Sequence, residues 1–134
     1  MNKKKILVVD DDAVVIRGLS IKLEANGFEV ITALDGAAAV TAVRTQRPDL
    51  ILLDITFPAD MVGVCWDGFL IMQWLTRLDE ATDVPIFIIS GGDRKQYEAR
   101  ALTAGATAFF QKPIDHDELI RLIRQTLNLE PATA

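Results

Sequence analysis

Short apolar runs alternate along this chain with stretches whose apolar residues recur every three or four positions. The runs are Ile6-Leu7-Val8-Val9, Phe28-Glu29-Val30-Ile31, Leu50-Ile51-Leu52-Leu53, Ile86-Phe87-Ile88-Ile89 and Ala108-Phe109-Phe110. They are rich in β-branched and aromatic residues and read as strands. Three are apolar on both faces, as expected of parallel strands covered by helices on each side. Between them, Val15, Leu19 and Leu23 mark a first helix, with Asn26-Gly27 as its stop. A second runs from Ala37 to Thr45, after Asp35-Gly36 and before Pro48. Ile71, Leu75 and Leu78 mark a third, with Asp67 as its N-cap. Asp93 with Gln96, and Asp115 with Glu118, resemble capping boxes that open a fourth and a fifth. Gly105 would end the fourth, and Leu119, Leu122, Ile123 and Leu127 share one face of the fifth.

The pattern predicts an α/β fold of the (βα)5 type: a doubly wound, parallel, five-stranded sheet with right-handed crossovers and helices on both faces. Residues 1–128 form one domain. A long loop at 57–67, between the third strand and the third helix, fits neither period. Residues 129–134 read as a C-terminal tail or the stub of a linker.

Composition narrows the setting. The 134 residues include 14 Lys and Arg against 19 Asp and Glu, a net charge of −5, and half are hydrophobic. That apolar fraction is too high for disorder, and the length suits one domain. No apolar run reaches the ~18 residues that a membrane span needs. The run after Lys3-Lys4-Lys5 is too short for a signal-peptide core. The single cysteine, Cys65, allows no disulfide within the chain, so a reduced, cytoplasmic setting is expected. Net acidity, with no basic cluster beyond the N-terminus, argues against direct nucleic-acid binding.

In open parallel sheets, ligands bind beyond the carboxyl ends of the strands. Here those ends carry Asp10-Asp11-Asp12, Asp54, Ser90-Gly91-Gly92 and Lys112-Pro113. Carboxylates held close together repel and recruit a cation. An all-oxygen cluster suits Mg2+, which takes one or two carboxylates with phosphate and water. Asp54 would then be a nucleophile forming an aspartyl phosphate, with Lys112 and the Ser90 hydroxyl holding the other phosphoryl oxygens. Phosphoryl transfer asks mainly for such positioning and charge neutralisation. Taken singly each residue has a plainer role. Asp12 is a ready N-cap for the first helix, Asp54 and Ser90 are ordinary turn residues, and His116 fits a solvated first helical turn.

From about Lys4 to Leu127 the chain resembles the receiver domains of two-component response regulators. The resemblance rests on Ile6-Leu7-Val8-Val9-Asp10-Asp11-Asp12, Pro48-Asp49-Leu50-Ile51-Leu52-Leu53-Asp54, Asp67-Gly68, Val84-Pro85-Ile86, Ser90-Gly91, Gly105-Ala106 and Lys112-Pro113. It implies the flavodoxin-like strand order 2-1-3-4-5. It implies Asp54 as phosphoacceptor, Asp10 and Asp11 as the Mg2+-binding acid pair, and the backbone carbonyl of Thr56 as a third protein ligand. Ser90 and Phe109 would be the switch pair, Lys112 the partner of the phosphoryl oxygens, and the Lys112–Pro113 bond cis. A histidine kinase or histidine phosphotransfer protein would be the donor. The domain would catalyse only its own phosphorylation and dephosphorylation, and is not a metabolic enzyme. The phosphoryl charge would bias the helix 4–strand 5–helix 5 face toward a downstream protein partner or an output domain. A homodimer through helices 4 and 5 is compatible with the family.

The chain also departs from the family pattern. Eight residues, Ala59 to Trp66, separate Pro58 from Asp67, where about three are usual. This insert carries Met61, Val62, Val64, Cys65 and Trp66; it either offers a partner surface or folds back over the core. Phe109 has no hydroxyl, so a switch that needs a tyrosine hydroxyl is unavailable. The triple Asp leaves two registers, with either Asp10 and Asp11 or Asp11 and Asp12 as the pair. Two other functions compete. A pseudo-receiver would keep the fold as a protein-interaction module without phosphorylation, but none of its expected losses has occurred. A haloacid-dehalogenase-type phosphatase would use Asp-x-Asp after the first strand, but leaves no room for a cap domain and no role for Asp54.

Overall fold

The computed structural model describes residues 3–55, 68–91 and 94–129. The loop at 57–67, Thr56, and the expected caps Asp67 and Asp93 lie outside them. The elements are β1 (Lys5–Val9), α1 (Ala13–Ala25), β2 (Glu29–Ala33), α2 (Gly36–Gln46), β3 (Leu50–Asp54), α3 (Gly68–Thr76), β4 (Ile86–Ser90), α4 (Arg94–Thr103), β5 (Ala108–Gln111) and α5 (His116–Thr126). The strands form one parallel sheet in the order β2-β1-β3-β4-β5, as expected.

Strand alternation divides the core in two. Leu7, Val9, Ile51, Leu53, Ile86, Ile88 and Phe109 face a core closed by α2, α3 and α4. Ile6, Val8, Leu50, Leu52, Phe87 and Ile89 face a second core, closed by Leu19 and Leu23 of α1 and Leu119, Ile120 and Ile123 of α5. β3 and β4 are buried throughout and β1 after its first residue, whereas the edge strand β2 alternates between buried and exposed. Each large side chain so buried contributes roughly 1.5–3 kcal/mol. Two-sided burial is what lets the central strands read as unbroken apolar runs.

The helix ends follow local chemistry. Asp12, Asp35 and Asp115 each accept a hydrogen bond from a backbone N–H in the first turn of α1, α2 and α5. Gly27 and Gly105, the expected stops, adopt φ of +89° and +111°, a region that costs glycine little. Two readings shift. Phe28 precedes β2, because its N–H bonds back to the Leu23 carbonyl and closes the turn after α1. Leu78 lies beyond α3, packing on the first core from the turn before a short 3-10 segment, Asp79–Ala81, that the sequence pattern does not announce. Among the described residues no helix is long and apolar enough to cross a membrane.

Candidate functional site

Parallel register brings the carboxyl ends of four strands to one level. Val9 pairs with Leu53, Asp54 with Ile89 and Ser90 with Gln111. The next backbone bonds hold the residues just past the strands: Asp10 N–H donates to the Ala33 carbonyl, and Lys112 N–H to the Ser90 carbonyl at 2.8 Å. Asp10, Asp54 and Ser90 are the buried polar side chains among the described residues. They sit where the apolar strands end.

The carboxylates of Asp10, Asp11 and Asp54 each offer an oxygen within 4.8 Å of the others, with Asp11 the exposed member. Lys112 reaches into this cluster from the far side of the sheet. Its Nζ lies 2.9 Å from Asp54 Oδ2 and 3.4 Å from Asp10 Oδ2. Asp12 is not part of the cluster; its carboxylate caps α1, accepting from the Val14 N–H at 2.9 Å. Asp12 thus takes the plainer role of an N-cap, while Asp10 and Asp11 both offer an oxygen to the cluster.

Charge does not balance here. With three carboxylates against one ammonium, ionisation of all four leaves an excess of two negative charges. The carboxyl of Asp10 is accordingly pushed up to about 7: burial raises it most, the Asp12 N–H lowers it, the Asp54 charge raises it, and Lys112 lowers it. The Lys112 ammonium is held above its ordinary value. Burial pulls it down, but its hydrogen bond and charge contact with Asp54, and then Asp10, outweigh that pull.

The donor set fits a hard divalent cation. All its atoms are carboxylate oxygens, the hard donors such a cation takes, and they lie within 4.8 Å of one another. Ser90, fully buried, ends the strand next to Asp54, and Phe109 is buried one strand further on against the core under α4. The Lys112–Pro113 bond is cis, as the resemblance implied. Thr56 lies outside the described residues.

Two features were not foreseen. His116, expected in solvent, is half-buried and lines a groove of about 240 Å3 with Val14, Gly18, Pro113 and Ile114. The Asp12 N–H, which donates to Asp10 Oδ1 at 2.9 Å, has no trace in the residue letters, because backbone amides look alike in sequence.

A two-faced parallel α/β sheet with clustered aspartates and one lysine beyond its carboxyl edge defines the class. Within it, residues 6–124 match the response regulator receiver domain, and the chain belongs to that family, which serves two-component systems. It is 35% identical over 130 residues to the transcriptional regulatory protein PrrA of Mycobacterium tuberculosis, covering 97% of this chain and 52% of the relative. The chain thus spans about half the length of the curated relatives it matches. Among solved structures, a CheY-like receiver domain protein of Methanospirillum hungatei superposes with a TM-score of 0.81 at 26% identity, covering 95% of both chains. The chemotaxis response regulator CheY4 of Vibrio cholerae does so with a TM-score of 0.80 at 25% identity, over 93% of this chain and 99% of that one.

Proposed function

We propose that this domain accepts a phosphoryl group on Asp54 from a histidine kinase or histidine phosphotransfer protein. The observation that carries the reading is the meeting of three carboxylates and the Lys112 ammonium at the end of buried strands, with negative charge in excess. Asp10, Asp11 and Asp54 hold Mg2+, with the Thr56 carbonyl added by family resemblance. The cation, when bound, neutralises the phosphoryl oxygens and lets an anionic donor approach an anionic nucleophile.

An Asp54 oxygen attacks phosphorus, the P–O bond forms, and the P–N bond to the donor histidine breaks with its electron pair leaving on nitrogen. Lys112 gives up part of its contact with Asp54 to pair with a phosphoryl oxygen, and the Ser90 hydroxyl donates to another. Water later attacks phosphorus, the P–O bond to Asp54 breaks, and inorganic phosphate leaves as the carboxylate is restored. Ser90 and Phe109 form the switch pair. Because Phe109 carries no hydroxyl, its part is packing alone, and the α4–β5–α5 face is the surface it alters. That face then controls a downstream protein partner, a second copy of the chain, or an output domain, in the cytoplasm.

The test is intact mass after treatment with acetyl phosphate and Mg2+. The wild type gains one phosphoryl group, while Asp54→Ala, or wild type with excess EDTA, gains none. A wild type that takes up no phosphoryl group overturns the reading and leaves an interaction module on a receiver fold.

A further inference from the structure

We propose that Asp12 is a positioning residue for the cation site: by capping α1 it fixes its own backbone amide on Asp10, and so sets the orientation of the Asp10 carboxylate in the cluster. The proposal rests on the Mg2+ reading above. The three consecutive aspartates are used in three ways. Asp10 is buried, Asp11 is exposed with its carboxylate in the cluster, and Asp12 is exposed with its carboxylate turned to the helix. Asp12 makes three bonds that lock it. Its Oδ1 accepts from the Val14 N–H at 2.9 Å, its carbonyl accepts from the Ile16 N–H at 3.1 Å, and its N–H donates to Asp10 Oδ1 at 2.9 Å.

The consequence falls on Asp10. With one oxygen tied to the Asp12 amide, the other is left to Lys112 Nζ at 3.4 Å. Asp12 holds φ −98° and ψ 108°, the extended conformation that a capping side chain stabilises. Without the cap, an exposed residue between a strand and a helix has other backbone conformations open to it. The amide then no longer points at one carboxylate oxygen. Asp12 thus acts on the cation through Asp10, as an outer-shell partner acts on a ligand, and removing such a partner typically costs about 10–100-fold in metal affinity.

The link separates from two alternatives by variant choice. A negative charge near the cation would act through space, and Asp12→Asn removes it while keeping a capping oxygen. A general loss of stability would act through the fold. Asp35→Ala removes the equivalent cap of α2, whose side chain accepts from the Ala38 N–H at 2.7 Å. The experiment is an Mg2+ titration of each variant followed by backbone amide chemical shifts, with hydrogen exchange of the residue 12 amide measured in EDTA. We expect Asp12→Ala to bind Mg2+ about 10-fold more weakly. Asp12→Asn and Asp12→Ser stay within about 2-fold of wild type, and Asp35→Ala is unchanged. The residue 12 amide loses protection in Asp12→Ala and keeps it in Asp12→Asn. Wild-type affinity in Asp12→Ala, or an equal loss in Asp12→Asn, overturns the proposal. If the wild type binds no Mg2+, the metal reading fails by itself, and the exchange measurement still decides whether Asp12 holds Asp10.

Discussion

At the amino ends of β1 and β3, Lys5 and Asp49 close on each other; at the carboxyl ends of the same strands, Asp10 and Asp54 do not. The Lys5 N–H donates to Asp49 Oδ2 at 2.8 Å, the Asp49 N–H returns a bond to the Lys5 carbonyl at 2.8 Å, and Lys5 Nζ reaches the Gln46 carbonyl. The Asp49 carboxylate is met by a backbone amide and the Lys5 ammonium by a backbone carbonyl, so each charged group has a partner of its own, and both are near water. At the other end Lys112 is shared between two buried carboxylates and a third stands nearby. Residue types are the same at both ends. Burial and stoichiometry separate a structural clasp from a cluster with negative charge in excess.

The largest effect expected from that contrast is at Asp54. Asp54→Ala abolishes phosphoryl uptake from acetyl phosphate by intact mass, whereas Asp49→Ala leaves it unchanged. Next comes Lys112→Met, which removes the ammonium that meets the developing charge. It slows uptake by about 100-fold, read as the initial rate of mass change, in line with the loss of one preorganised donor.

A smaller effect separates the ends by pH. Asp10 stands at about 7 in the folded chain against an ordinary 3.8, raised first by burial. A raised carboxyl favours the folded state while it is protonated. That contribution is full below the ordinary value and is lost as pH rises through about 7. In EDTA, Asp10→Asn is therefore more stable than the wild type at about pH 8, by roughly 1–3 kcal/mol, and the gap closes as pH falls toward the ordinary carboxyl value. Mg2+ raises the melting temperature of the wild type but not that of the variant. Thermal denaturation followed by circular dichroism reads all of these. The smallest effect is at the clasp: Asp49→Ala costs about 1 kcal/mol in urea unfolding and leaves Mg2+ affinity unchanged.

The sheet was legible because β1, β3 and β4 are buried on both faces, which leaves an unbroken apolar run as the only tolerable sequence. The ends of α1 and α4 were legible because Gly27 and Gly105 take positive φ. Phe28 misled because an aromatic in a helix-closing turn is buried in the same core as the strand it precedes. The 3-10 segment at Asp79–Ala81 is too short to carry a period. Strand order came from resemblance to a family, since local pattern does not say which strands become neighbours. At the site, side chains could be named from their places after the runs. Asp12 was legible only as one of two alternatives, a helix cap or a member of the acid pair, because a carboxylate that caps a helix and one that joins a cluster have the same letter.

The lysine that completes the cluster stands 102 positions after Asp10 and 58 after Asp54. On a ribosome adding about 5–20 residues per second, it is made about 5–20 s after Asp10. Its contacts form only when β1 lies between β2 and β3 and β5 has docked on β4, pairings of high contact order that come late in folding. A nascent or half-folded chain therefore carries its aspartates without their ammonium. The cluster gains its full set of charges only once the chain has been made through Lys112 and β5 has joined the sheet.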